Sequence, residues 1–300
     1  MKEAKGIIAA TITPMRQDET INLEALGEII NWQIACGVHG ICTVNSVGEY
    51  FALNKEEMVQ IFKYTVETVK GRVPVYLGTA ANSTRETIAL TRTAKDCGAD
   101  FVSIITPSFI RPNDDELYLH FSEIAKAVDI PIVLYNNPQQ TGNVISVNVL
   151  SRLANDYENI VGIKDGSGSL SQALQYIRHS RPGFAVLCGQ SALMFASLCS
   201  GATGAIASVA NIAPDLLVRL YHLINEKKFE EALALDHQIS AITEVFGIGA
   251  SFPANVKEVC NLIGKPAGPT RRPVKPYTGE QAKMAREILL RAGLEVVPNR

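Results

Sequence analysis

The stretch Asn159 to Ser169, NIVGIKDGSGS, ends an apolar run on a single ammonium group, Lys164. A lysine kept out of bulk water has a well-defined chemistry: its neutral amine adds to the carbonyl of a 2-oxo acid and loses water to give an imine. The protonated imine withdraws electrons and allows the neighbouring carbon–carbon bond to break or form. An ordinary lysine is neutral in only roughly one molecule in 2,500 at pH 7, and burial moves the balance toward the nucleophilic amine. A phenol nearby, such as Tyr135 of YNNP, could shuttle the proton. A plainer role is also open, in which the lysine head reaches water or pairs with the adjacent Asp165.

For Lys164 to meet Tyr135, the chain must lay two strands side by side. Short Val- and Ile-rich runs do alternate with longer stretches of helical period. Strands are predicted at GIIAATIT from Gly6, GICTV from Gly40, VPVYLGT from Val73, FVSIITP from Phe101, IPIVLYN from Ile130, IVGIKD from Ile160, FAVLCG from Phe184 and GAIAS from Gly204. Eight strand–helix units in about 220 residues fit a closed α/β architecture, the (β/α)8 or TIM barrel, better than an open doubly wound sheet. Barrels of this kind carry their reacting groups at the C-terminal ends of the strands, where Lys164 falls. Strand alternation points Gly162 and Lys164, and Val133 and Tyr135 beside them, toward the barrel axis. The same count turns Val161, Ile163, Ile132 and Leu134 toward the helices.

Among the helices, NKEEMVQIFKYTVETVKG places Met58, Ile61, Phe62, Thr65, Val66 and Val69 on one face and is predicted to stop at Gly71. Residues 1–225 make the barrel and 226–300 a helical extension packed on it, together one structural domain. In the extension Leu235, Ile239, Ile242 and Phe246 share a helical face, and further segments start at Pro253 and Glu280.

Composition narrows the function classes. With Lys+Arg 28 against Asp+Glu 30 the formal charge is -2, which disfavours nucleic acid and anionic lipid as partners. No run approaches the roughly 20 apolar residues of a membrane span, and MKEAKGIIAATITP is not an export signal. The six cysteines form no C-x-x-C pair and read as reduced core thiols, so a cytoplasmic location is the expectation. There is no G-x-x-x-x-G-K-[ST] loop, and CGQSALM is not a G-x-G-x-x-G fingerprint. The five histidines lack H-x-x-x-H or H-x-H spacing, so a metal enzyme is not expected.

Three motifs in order, NSVGEYFAL (Asn45 to Leu53) after strand two, YNNP (Tyr135 to Pro138) after strand five and GIKDGSG (Gly162 to Gly168) in strand six, resemble those of the dihydrodipicolinate synthase / N-acetylneuraminate lyase family. The likeness runs from about Gly6 to Pro276. It implies a (β/α)8 barrel that needs no metal or cofactor and assembles as a homotetramer. It also implies that Lys164 is the Schiff-base lysine and Tyr135 the proton relay. Ser46, Val47, Gly48 and Glu49 match the turn whose backbone amides hold the substrate carboxylate, and Ile206 a position whose carbonyl faces the site. Each has a structural alternative: Tyr135 a core tyrosine, Gly48 a turn residue, Glu49 a buried acceptor.

The departures bear on the substrate. Val47 lacks the hydroxyl common at the second position of the turn. Ser108 and Phe109 stand where the synthases have two tyrosines, one of which enters the partner subunit's proton relay. Gln140 stands where they have an arginine for the carboxylate of aspartate semialdehyde. Gly189 is followed by Gln190, Ser191 and Ala192, where the sialic acid lyases have an acidic pair. A neutral pocket of Gln140, Thr141, Gln190, Ser191 and Ser208 suits a 2-keto-3-deoxy sugar acid aldolase or dehydratase. The competing readings are 4-hydroxy-tetrahydrodipicolinate synthase and a non-catalytic barrel that binds 2-oxo acids. The expected partners are small-molecule 2-oxo acids and aldehydes.

Overall fold

The computed structural model describes residues 3–298, so the reading of the N-terminus at Met1 and Lys2 lies outside the described residues. Eight strands, β1 (Gly6–Ala10), β2 (Gly40–Thr43), β3 (Val75–Gly78), β4 (Phe101–Ile105), β5 (Ile132–Asn136), β6 (Ile160–Asp165), β7 (Ala185–Cys188) and β8 (Gly204–Ala207), close in sequence order into a parallel barrel. Helices return each strand to the next over the outside, as parallel pairing requires.

All eight predicted strands are present, and several are shorter than expected. β3 starts after Pro74 and β5 after Pro131, because proline has no N–H to give the ladder. β1 ends at Ala10, where the Ile12 N–H turns to Asn211 Oδ1 at 3.1 Å.

Alternation sorts the apolar residues into two cores. Ile132, Leu134 and Ile163 join the layer between strands and helices. Val133, Ile8, Tyr76, Phe101, Leu187 and Ile206 fill the barrel interior, with the Tyr76 and Phe101 rings stacked at 4.4 Å. Val161 departs from the expected outward position and packs against the interior cluster. The reason is a register irregularity: Ile132 pairs with Ile160 but Val133 with Gly162, so one residue of β6 is extra. Past it the count is restored, and Tyr135 pairs with Lys164.

The predicted Asn54 helix runs Lys55–Val69 with a capping box from Asn54 to Glu57. It stops before Gly71, because Lys70 itself takes the left-handed conformation at φ 51°. After β6, Ser169 caps the helix Leu170–His179 through the Gln172 N–H.

Beyond the last barrel helix, Pro214–Asn225, come helices Phe229–Thr243, Ala254–Leu262 and Gly279–Arg291. Leu235, Ile239 and Ile242 are buried in the same cluster as the barrel helices. Phe246, expected on that helical face, lies in a separate turn, Glu244–Gly247. The helix has ended by then, with Thr243 Oγ1 donating back to the Ser240 carbonyl at 2.7 Å.

All six cysteines are free thiols, but only Cys42, Cys188 and Cys260 are buried. Cys36 and Cys97 are half-buried and Cys199 is exposed, since these sit at or beside helix ends rather than in the core. No helix among the described residues is long and apolar enough to cross a membrane.

Candidate active site

The strand pairing that sets Tyr135 against Lys164 puts both at the C-terminal end of the barrel, on a cavity of about 430 Å³. Lys164 is 6% exposed, and its Nζ lies 4.0 Å from the centroid of the Tyr135 ring. Among the described residues no carboxylate or hydrogen-bond acceptor contacts Nζ. The neighbouring Asp165 is engaged elsewhere: its Oδ1 accepts from Asn136 Nδ2 at 2.9 Å and the Ser167 N–H at 3.1 Å, and its Oδ2 from Ser167 Oγ at 2.9 Å. Burial pushes the Asp165 carboxyl above the usual range, and these donors partly oppose it.

Asn136 and Asn137 are site residues that the motif YNNP contained without a role being read for them. Asn136 is fully buried and ties the strand ends together, with Oδ1 accepting from the Ile145 N–H at 3.0 Å while Nδ2 holds Asp165. Asn137 Nδ2 donates to the Tyr135 hydroxyl oxygen at 2.8 Å. That bond fills an acceptor site on the phenol and leaves its own proton free to be donated. Their only sequence signal was carboxamides directly after a strand-end tyrosine.

Two glycines allow the strand ends to close up. A Cβ at Gly162 would lie 2.7 Å from the Ala185 carbonyl oxygen, and one at Gly189 2.7 Å from that of Asp165.

The turn after β2 is built by Asn45. Its Nδ2 donates to the Cys42 carbonyl at 2.6 Å, while Oδ1 accepts from the Val47 and Gly48 N–H groups at 3.0 and 3.1 Å. These two amides, expected to be free for a carboxylate, are therefore already engaged within the turn. Ser46 keeps an unused donor, since its buried Oγ has no hydrogen-bond partner. Val44 and Glu49 flank the turn at φ 53° and 59°, left-handed values that a β-branched valine rarely takes. Glu49 is fully buried and ion-paired to Lys257 Nζ at 2.6 Å, and its Oε2 accepts from the Arg271 N–H at 2.9 Å. It is a structural acceptor, and Lys257 is a partner that sequence reading missed. Burial holds the Lys257 amine below the usual lysine range, against the pull of Glu49.

Of the residues expected in the site, Lys164, Tyr135, Ser46, Val47, Gln140, Gly189, Gln190, Ser191 and Ser208 line the one cavity. Four do not. Phe109 is 95% exposed, its side chain carried outward by a backbone at φ 74°. Thr141 is buried off the cavity, its hydroxyl 2.8 Å from that of Thr106. Gly48 sits behind the turn, where its carbonyl accepts from Thr13 Oγ1 at 2.7 Å. The Ile206 side chain belongs to the barrel interior. Residues not foreseen complete the lining: Ala10, Asn45, Asn137 and Gln139 from the barrel, and Thr243, Phe246, Ala250, Phe252 and Asn255 from the extension. Lys164 is the only charged side chain among them.

The family model for the dihydrodipicolinate synthetase family matches residues 3–292. A 4-hydroxy-tetrahydrodipicolinate synthase of Methanosphaerula palustris is 36% identical over 95% of this chain and 98% of its own. A solved dihydrodipicolinate synthase superposes with a TM-score of 0.93 at 34% identity, covering 97% of this chain and 100% of that one. YagE, a prophage protein of E. coli K12 belonging to the dihydrodipicolinic acid synthase family and solved in complex with pyruvate, gives 0.94 at 29% identity, over 97% and 99%. A closed barrel with a lysine and a tyrosine paired at its open end, matched along nearly its whole length, belongs to the dihydrodipicolinate synthetase family and is one of its class I lyases.

Proposed function

We propose that Lys164 forms an imine with pyruvate or a longer 2-oxo acid, and that Tyr135 moves the protons of that reaction. The observation that carries this is the Nζ of Lys164, buried on the cavity, without an ionic partner and 4.0 Å from the Tyr135 ring centroid. The neutral amine attacks the 2-oxo carbon, and the carbinolamine loses water as the Tyr135 hydroxyl supplies a proton to the departing oxygen. In the protonated imine, the Tyr135 phenolate takes the proton of the hydroxyl beyond the breaking carbon–carbon bond, the electrons of that bond flow to nitrogen, and the aldehyde departs, leaving the enamine of pyruvate. In the reverse direction the enamine attacks an aldehyde. Ser46 Oγ, buried and unpartnered, is the donor available to the substrate carboxylate, and the buried Val47 lines the same cavity.

Two readings of the second substrate compete. The names of the relatives favour 4-hydroxy-tetrahydrodipicolinate synthase, which joins pyruvate to aspartate semialdehyde. They give the 2-keto-3-deoxy sugar acid reading no comparable support. The cavity lining favours the latter, because Gln140, Gln190, Ser191 and Ser208 are neutral and no arginine is there to meet a second carboxylate. We read the chain as a cytoplasmic homo-oligomer, the tetramer of the resemblance, with exposed Phe51, Phe109 and Ile110 among the apolar side chains that association would cover.

Borohydride reduction in the presence of pyruvate is expected to leave a covalent adduct on Lys164. An adduct that survives Lys164→Ala would exclude the mechanism. Turnover of aspartate semialdehyde against 2-keto-3-deoxy sugar acids decides the partner. Efficient condensation with the semialdehyde establishes the synthase reading, whereas a low rate that Gln140→Arg raises supports the neutral one.

A further inference from the structure

One wall of the cavity comes from the C-terminal extension, and within it Asn255 is 3% exposed. Its Nδ2 donates to two backbone carbonyls, Phe246 at 3.2 Å and Ala250 at 3.1 Å. Two acceptors at one end of a carboxamide fix which end is nitrogen, because the oxygen could only be repelled there. Oδ1 is thereby turned away from both and is buried with no hydrogen-bond partner. A buried acceptor without a donor is a site of stored cost that a ligand's donor can relieve. The only charged side chain lining the cavity is Lys164, and the imine commits its nitrogen to the 2-oxo carbon rather than to the tail.

We infer that Asn255 is a specificity-determining residue, whose Oδ1 accepts a hydrogen bond from a hydroxyl on the carbon chain that the 2-oxo acid carries beyond its reacting carbons. An ionised carboxylate is acceptor-only and would leave Oδ1 unpaired while adding repulsion, so the residue selects hydroxylated tails over carboxylated ones. This rests on the reading of Lys164 as the imine-forming amine. Asn255 does not touch the reacting atoms in that scheme; it selects what they are attached to.

The test is imine trapping by borohydride with matched probes: 2-keto-3-deoxygluconate, and 2-oxohexanoate, which has the same six-carbon chain without the hydroxyls. The wild-type protein is expected to be half-saturated by the hydroxylated probe at a concentration lower by about 10-fold or more, equivalent to about 1.4 kcal/mol. In Asn255→Leu most of that preference disappears, while trapping of pyruvate and 2-oxohexanoate stays within about 2-fold of wild type. Asn255→Ser is run beside it, so that the ratio is read even if the leucine variant does not fold. An unchanged preference in the variants overturns the inference. So does an equal weakening of both probes, which would make Asn255 merely the prop of the Phe246 and Ala250 carbonyls. Absence of a pyruvate adduct in the wild-type protein removes the imine reading and this inference with it; a normal pyruvate adduct with a preference indifferent to residue 255 removes the inference alone.

Discussion

Two lysines are buried among the described residues of this barrel, and their surroundings differ in kind. Lys257 is fully buried in the extension, with the Glu49 carboxylate at 2.6 Å and the Pro269 carbonyl accepting at 2.7 Å. Lys164 is almost as buried, yet it has an aromatic face on one side and open cavity on the other. The first arrangement satisfies a charge and joins two distant segments, the turn after β2 and the extension. The second leaves the amine without an ionic partner among the described residues. Burial alone does not separate a structural lysine from a reactive one; the partners do.

Exchanging each lysine for methionine should split activity from stability in opposite ways. Lys164→Met is expected to lower turnover by on the order of 10⁴-fold or more, while leaving the thermal midpoint at or above that of wild type. A clear fall in the midpoint would mean that Lys164 also supports the fold. Lys257→Met strands the Glu49 carboxylate in the interior and should cost about 3–5 kcal/mol in denaturant unfolding. Adding Glu49→Gln should recover much of that loss. If the double variant is no more stable than the single one, the ion pair is not what holds the turn to the extension.

Tyr135→Phe sharpens the reactive side of the comparison. It keeps the ring beneath Nζ and removes the phenol held by Asn137, so turnover should drop by about 10²-fold, with the pyruvate adduct still trapped. Slowed imine formation is part of that drop, because the hydroxyl supplies the proton for loss of water, but borohydride given time still collects the adduct; an unchanged rate of trapping would remove the hydroxyl from imine formation.

The smallest effect concerns a third buried base, His120, on the helix Asp114–Ala127. Its Nδ1 lies 2.9 Å from Thr84 Oγ1, its Nε2 has no partner, and burial pushes its pKa down to about 4. Because the folded value is below the unfolded one near 6.5, the neutral ring's contribution is complete above about pH 6.5. It is lost as pH falls toward 4, by up to about 1.4 kcal/mol per pH unit. His120→Gln should flatten the stability profile across that window, and a slope unchanged in the variant would place the acid sensitivity in other groups.

The barrel was legible in the sequence because each strand is a short apolar run bounded by turn residues, and eight of them recur with helical stretches between. The Lys164–Tyr135 pair was legible because the residue count to the strand ends is the same on β5 and β6. That count survived only because the irregularity opposite Val133 falls before the pair, and Val161 was misplaced by it. What could not be read were contacts made across long separations in the chain. Nothing near Glu49 announces Lys257, more than 200 residues away, and nothing near Lys164 announces the wall formed by Phe246, Phe252 and Asn255. Phe109 was hard to place for the opposite reason: its position along the chain matched a residue that enters the partner's relay, and its backbone conformation carries the side chain outward, away from this chain's own cavity.

The turn after β2 has a consequence for how such a site diversifies. Asn45 fixes its backbone by holding the Val47 and Gly48 amides, so the turn's hydrogen bonds do not run through the side chains at 46 and 47, although that of Val47 packs into the barrel interior. Exchange at Ser46 leaves those bonds in place, and exchange at Val47 must also keep the volume that its side chain fills in the interior. For redesign, Ser46 can be varied with the turn's hydrogen bonds in place and Val47 among residues of similar volume, whereas a change at Asn45 alters every position in the turn at once.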